Sequence, residues 1–519
     1  MSSDSYHDIP YDSTPFAETH PDHLHVLGRL FGLQPADPAA AHILELGCAS
    51  GGNIIPMAYH LPGAEIVGIE LSAAQVASAQ QLIDRLSLGN ITIRQGDIMA
   101  LDEGLGRFDY IIVHGVYSWV PEAVREKILA LCRGLLSEHG IAYVSYNTLP
   151  GWRMRGMLRD MLLYHARDAK TPHARLDRAY DLFDRLEQAT CGLDALSAKY
   201  LRSEIAAVRK AHPSYIYHEY LEEINRPFLF SEFAADADRH GLQYLCDVEL
   251  GTAFPSTLGA AAEAALEPIE DFIELEQHMD FVRSRNFRRS LLCRREAPLS
   301  RDLALEQFEA LAFSAQLSPP KKPDLSRLRE QKFTSADGHE FEVGHPLCKA
   351  ALIYLNERHP DSIAFAELAE AARQIALRHG GRAFADQFDH LFGELFSLYA
   401  HQGIRISPRA QRFDKTLAER PRLHALARAQ AELKLGHLAT VRHTTVQLDA
   451  FAARLACLLD GTRSRDELLA AMLAAIDGGK IIIDAVGKKQ DEKKRAAAVQ
   501  ANVDRLLGLF ARQGLMETD

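Results

Sequence analysis

Cysteine is sparse and dispersed: the seven in this 519-residue chain stand at 48, 132, 191, 246, 293, 348 and 457. Their number is odd and none forms a C-x-x-C pair, which excludes a disulfide framework and a thiolate zinc site and predicts reduced, buried thiols. Long apolar runs are missing too. None approaches the roughly 20 residues of a membrane-spanning helix. The opening MSSDSYHDIP has no basic segment followed by an apolar one, so the chain is expected in the cytoplasm. Positive charge is in deficit, 58 Lys and Arg against 70 Asp and Glu giving a formal net charge of −12. That excludes a general phosphate-neutralising face and argues against a nucleic-acid partner. The basic cluster Lys488-Lys489-Gln490-Asp491-Glu492-Lys493-Lys494-Arg495 is broken by acids, follows Gly487, and reads as a solvated helix start.

What is present begins with a core: 47% of the residues are hydrophobic, and the length calls for more than one domain. The segment Ile43-Leu44-Glu45-Leu46-Gly47-Cys48-Ala49-Ser50-Gly51-Gly52-Asn53, followed by Ile66-Val67-Gly68-Ile69-Glu70, reads as strand, glycine turn, helix, strand and acidic end. Small residues at Gly47, Ala49, Gly51 and Gly52 let a ligand approach the backbone, and Glu70 stands where a carboxylate accepts from both ribose hydroxyls. A dinucleotide needs G-x-G-x-x-G so that a helix N-terminus meets its pyrophosphate. This turn is E-x-G-x-A-x-G-G-N, with Glu45 just ahead of it. An acid there suits a cofactor with a cationic amino-acid tail, which points to S-adenosyl-L-methionine.

Three more strands are predicted at 90–98, 108–115 and 140–146, separated by helical patterns at 72–86 and 122–136. In such an open α/β sheet the ligand lies at the carboxyl ends of the strands, which places Glu45, Gly47, Glu70, Asp97 and His114 on one rim. Through ILELGCASGGNIIPMA, FDYIIVHGVYSWVPE and VSYNTLPGW, residues 6–165 resemble a class I S-adenosylmethionine-dependent methyltransferase of the bacterial kind that carries a methyltransferase regulatory domain. The architecture is similar to that of the rickettsial protein lysine methyltransferases. The resemblance implies that Gly47 and Gly51 border the methionine part of the cofactor, that Glu70 binds the ribose, and that Asp97 with Ile98 contacts the adenine. The expected cofactor set is Glu45, Gly47, Ala49, Gly51, Asn53, Glu70, Leu71, Asp97, Ile98 and His114. Ala49 departs from the family by replacing the middle glycine. Residues 11–21 match the family's leading segment, which implies that Tyr11 and Phe16 cap the sulfonium or the adenine.

Methyl transfer from a sulfonium is an in-line displacement in which the enzyme aligns the reactants and excludes water, and no metal is needed. His20, His23 and His25 do not share a helix face, and Pro21 marks them as a helix start. A nitrogen nucleophile must arrive without its proton, so side chains after the fourth and fifth strands are the catalytic candidates: His114, Tyr117, Trp119 and Tyr146. Tyr117 and Trp119 are either aromatic faces for a lysine or methylammonium cation or ordinary core. His114 serves as a structural donor or as a base. The N-P-P-Y type motif of methyltransferases acting on nucleic-acid bases or glutamine is absent.

The fold expected is α/β, a class I (Rossmann-like) seven-stranded sheet with a helical insertion, followed by two mainly helical, winged-helix-like modules. Its parts are a cofactor-binding core at 1–152, a helical insertion or regulatory region at 153–240, the last two strands within 241–300, a linker at 301–343, a middle helical domain at 344–415 and a C-terminal domain at 416–519. The middle domain is predicted to carry helices at 346–355, 363–373 and 383–400. HEYLEEINRPFLFSEFAADADRHGLQYL resembles the regulatory-domain signature, which implies a lid, a substrate platform or a homodimer contact. The C-terminal pattern resembles small winged-helix domains that bind peptides or proteins. The activity expected is methyl transfer to a protein lysine. The alternatives are a small or carrier-bound metabolite as acceptor, and an inactive sensor of the cofactor.

Overall fold

The strands read from the sequence assemble into one seven-stranded sheet in the computed structural model, which describes residues 13–303, 305–413, 417–479 and 492–517. They are β1 (His42–Leu46), β2 (Glu65–Glu70), β3 (Ile91–Gln95), β4 (Phe108–Val113), β5 (Leu136–Asn147), β6 (Leu242–Asp247) and β7 (Phe287–Arg294), in the order β3-β2-β1-β4-β5-β7-β6. β7 runs antiparallel to β5 and β6, and the other neighbours pair in parallel. Helices cover both faces, which is why Ile43, Leu44 and Leu46 of β1 and Tyr110 to Val113 of β4 are all buried. The chain winds outward from β1 to β3 and then returns to β4 on the other side of β1. That reversal opens a crevice at the carboxyl ends of β1 and β4.

Between β5 and β6 four helices, α1 (Trp152–Ala166), α2 (Pro172–Thr190), α3 (Leu196–Val208) and α4 (Pro213–Tyr220), close around their own core of Leu158, Leu162, Phe183, Ile205, Ile216 and Tyr220. A fifth helix, Phe230–Arg239, returns to the sheet through Phe230 and Phe233. β7 is tied down by Arg288, whose buried guanidinium donates to Glu276 Oε2 at 2.7 Å and to both Asp280 oxygens at 2.7 and 2.9 Å.

The polar stretch expected as a linker at 301–343 is structured. Strands Leu317–Ser318, Gln331–Ser335 and Glu340–Val343 form a small antiparallel sheet, and Ala312–Ser314 pairs with Ile363–Ala364 and Arg405–Ser407. Phe333 and Val343 bury inward while their neighbours stay polar, and this half-exposed pattern hid the strands. Ile363 belongs to that pairing, so the second middle helix starts at Phe365 and runs to Arg378. The third starts at Phe388, after turns that follow Gly380 and Gly381.

The C-terminal unit packs helices Ala425–Glu432, Ala450–Leu458, Arg465–Asp477 and Glu492–Arg512 with a hairpin, His437–Ala439 and Thr445–Gln447. Ser464 and Glu467 cap the third of these helices reciprocally. Positions 488–491 of the basic cluster lie outside the described residues, as does Tyr11. Among the described residues no helix is long and apolar enough to cross a membrane.

Candidate active site

A cavity of about 360 Å³ opens in the crevice at the carboxyl ends of β1, β2 and β4. The turn after β1 forms its floor. Gly47 adopts φ +74°, and a Cβ there would stand 2.7 Å from Val116 Cγ2. Ala49 holds the left-handed φ of +49° that the usual glycine would adopt without strain, fixed by its N–H donating to Glu70 Oε2 at 2.9 Å. The other Glu70 oxygen accepts from the Ser72 N–H at 2.8 Å. The carboxylate is thus locked at the end of β2 with lone pairs left for a diol.

Glu45 is buried at the end of β1. Its Oε1 accepts from Asn53 Nδ2 at 2.8 Å, and its Oε2 has no hydrogen-bond partner among the described residues. Burial, reinforced by the charge of Glu70, pushes its carboxyl up to about 8, against the pull of the Asn53 bond. A buried carboxylate with an unused oxygen is the partner a cationic group requires. Asn53 also accepts the Phe16 N–H at 3.1 Å, while Gly52 donates its N–H to Ser13 Oγ at 2.8 Å. These two bonds lay residues 13–16 across the turn as a strap, and Ser13 and Phe16 both line the cavity.

Of the residues singled out in the sequence, Glu45, Gly47, Ala49, Asn53, Glu70, Leu71, Asp97, Ile98, His114 and Trp119 line this one cavity. Gly51, Tyr117 and Tyr146 do not line it. Tyr146 stacks on Phe233 with centroids 4.1 Å apart and meets Ser290 Oγ at 3.0 Å. Tyr117 packs against Phe228 and Phe233 at 5.2 and 5.3 Å. Burial raises the hydroxyl of each well above its ordinary value, so both are protonated members of the core. Trp119 faces the cavity and makes an edge contact at 6.3 Å with Trp152.

His114 lies under Phe16, ring centroids 4.0 Å apart, and its Nδ1 is 2.8 Å from the Tyr143 hydroxyl. Burial, with the charge of Arg289, pulls its imidazole down to about 4, so the ring is neutral at neutral pH. Burial keeps Tyr143 protonated. The contact joins a neutral imidazole to a neutral phenol.

The far wall consists of Val116, Trp119, Val120, Pro121 and Val124, with His218 and Glu219 entering from α4. Burial raises the Glu219 carboxyl to about 7, the charges of Arg155 and Arg159 on α1 holding it from going higher. Sequence reading missed Glu219. The available signal was an acid inside the aromatic run Tyr215-Ile216-Tyr217-His218-Glu219-Tyr220, on a helix that buries Ile216, Tyr217 and Tyr220.

Three family descriptions match the chain: a methyltransferase domain over residues 43–140, a predicted methyltransferase regulatory domain over 212–294, and the C-terminal winged helix domain of PKMT over 419–515. An uncharacterized protein of Rickettsia prowazekii is 31% identical over 496 residues, 94% of this chain and 89% of the relative. A second protein from that organism is 37% identical over 245 residues, 46% of this chain and 96% of its own. Among solved structures, PKMT2 from Rickettsia typhi superposes with a TM-score of 0.84 at 28% identity, covering 98% of this chain and 100% of that one. Its complex with AdoHcy gives a TM-score of 0.86 over the same shares.

Proposed function

Because the chain belongs to the class I S-adenosylmethionine-dependent methyltransferases that carry a methyltransferase regulatory domain and a PKMT-type winged helix, we propose that it methylates lysine side chains of proteins. The observation that carries this reading is Glu219, an acid delivered by the regulatory insertion to the apolar end of the cofactor cavity. In this reading Glu70 holds the ribose, Asp97 and Ile98 border the adenine, and Glu45 pairs with the cofactor's ammonium. When bound, S-adenosyl-L-methionine would supply an electrophilic methyl group for a nucleophile's lone pair, with the neutral thioether as leaving group.

Lysine enters the cavity as an ammonium and reacts only as an amine. The ionised Glu219 carboxylate attracts the cation and then takes one proton from Nζ, freeing the lone pair. His114 is the weaker alternative. Burial pulls its imidazole down while burial raises the Glu219 carboxyl, so Glu219 is the better proton acceptor of the two. Trp119 offers an aromatic face to the ammonium or its methylated product, and the valines with Pro121 keep water from competing. The PKMT designation of the Rickettsia typhi relative supports the lysine assignment.

The test is Glu219→Gln, which keeps size and hydrogen bonding and removes the base. Expected is at least a hundredfold loss of kcat on lysine-bearing protein with cofactor affinity unchanged within twofold. Full activity of this variant would refute the role, and an equal loss of cofactor binding would move Glu219 from the acceptor to the cofactor.

A further inference from the structure

The C-terminal hairpin reaches into the catalytic domain. Its turn, Thr440 to Thr444, carries His443 at a left-handed φ of +54°, 3% exposed, with Nε2 2.8 Å from Asn53 Oδ1. Asn53 Oδ1 also receives the main-chain N–H of Phe16, which only an acceptor can do, so the amide orientation is fixed. It follows that His443 Nε2 carries a proton and donates it, and that Asn53 Nδ2 is the atom donating to Glu45 Oε1. The hairpin turn is itself held from the other side, where the Arg442 guanidinium donates to Ser362 Oγ at 2.8 Å and to the Pro360 carbonyl. Three parts of the chain therefore meet at one turn. A single side chain of the winged-helix unit touches the residue that orients the buried acid of the cofactor cavity.

We propose that His443 is a positioning residue for the cofactor: with the Phe16 N–H and the Thr19 hydroxyl, each 3.1 Å from the same oxygen, it holds the Asn53 amide so that its N–H meets Glu45 and stabilises the carboxylate that pairs with the cofactor's ammonium. The proposal rests on the assignment of Glu45 made above. It gives the winged-helix unit a role inside the active site, because whatever shifts the hairpin must also change the cofactor's affinity, and the cofactor must reciprocally favour the docked hairpin. The other titratable or charged groups around the relay are Glu70 and Cys48 beside Glu45, and His20, His60 and Arg405 around His443.

The experiment measures calorimetric affinity of the full chain for S-adenosylhomocysteine, which keeps the amino-acid tail, and for 5′-methylthioadenosine, which lacks it, across pH. His443→Ala and Asn53→Ala are each expected to weaken S-adenosylhomocysteine binding about tenfold. His443→Ala should leave 5′-methylthioadenosine within twofold, and both variants should move the acid limb of the binding profile to higher pH. His443→Gln, which restores an N–H donor, is expected to recover most of the loss. A lower melting temperature for His443→Ala with affinity and pH profile unchanged would overturn the proposal. Should the hairpin variant fail to fold, the acid limb of Asn53→Ala, which also frees the strap from the turn, reports on the Asn53 bond to Glu45, and an unmoved limb there overturns the proposal. Glu45→Gln separates the two claims. If it binds S-adenosylhomocysteine as wild type does, the assignment of Glu45 fails; if it binds weakly while His443→Ala does not, the relay alone fails.

Discussion

Glu45 is favoured as a neutral acid by burial up to about pH 8 in the free protein, whereas a bound ammonium favours the charged form. Its pKa must therefore fall on binding, and the complex forms with release of a proton. On the acid side of about pH 8, cofactor affinity is expected to drop about tenfold per pH unit. The cofactor's own α-amino group titrates near 8 and causes a decline on the alkaline side. Calorimetry in buffers of different ionisation heat checks this, and Glu45→Gln should lose the acid limb while keeping the alkaline one. A flat acid limb in the wild type would contradict the assignment. Glu45 and Glu70 were legible because the strand-turn-strand spacing fixes where their carboxylates stand. Tyr117 and Trp119 were not separable, since a single short 3-10 turn directs the first into the aromatic core and the second into the cavity. Glu219 was not picked out because only the folded insertion brings it to the far wall of the cavity.

Among the elements, the strap at residues 13–16 depends on Gly52. A Cβ there would stand 2.1 Å from the Ser13 carbonyl oxygen, a contact with backbone that no rotamer relieves. Gly52→Ala is expected to displace the strap, remove its two hydrogen bonds to the turn, and weaken cofactor binding by ~2 kcal/mol, about thirtyfold. Circular dichroism should show the sheet intact, and unchanged affinity would mean that the strap does not close the site. The first five strands of the main sheet were readable as apolar runs with β-branched residues between helical patterns, whereas β6 and β7 carry none and were placed as the strands that complete the sheet. The strands inside the supposed linker were not, because they are short and polar on one side, and Leu317–Ser318 is followed directly by Pro319 and Pro320. Arg288 illustrates the same limit. Its charge looks like surface in the sequence, and only the partners Glu276 and Asp280, on a preceding helix, make its burial tolerable.

For the molecule as a whole, the junction between the catalytic and C-terminal units includes buried histidines that burial keeps neutral. His60 and His424 lie 5.4 Å apart across it, and burial pulls them down to about 4 and about 3. Both folded values lie below the ordinary 6.5, so the unfolded chain takes up protons that the docked one refuses, and stability falls as pH drops from 6.5 toward 4. Thermal melts across that window are expected to show the decline, and His424→Asn, which retains a helix cap at Ala427, should flatten it. Equal slopes would place the acid sensitivity elsewhere. The division of the chain into a methyltransferase sheet, an insertion and C-terminal helical modules was legible from composition and pattern. The docking of those modules onto the cofactor turn was not, since His443 and Asn53 are joined only in three dimensions. We propose that this cavity transfers methyl groups to protein lysine, with the insertion supplying the base. The most direct test is transfer of labelled methyl from S-adenosylmethionine into a bacterial extract, resolved into protein, nucleic-acid and small-molecule fractions, followed by hydrolysis of the protein. Label recovered as methyl-lysine, and abolished by Gly47→Arg, is the result expected; label confined to small molecules would contradict the account.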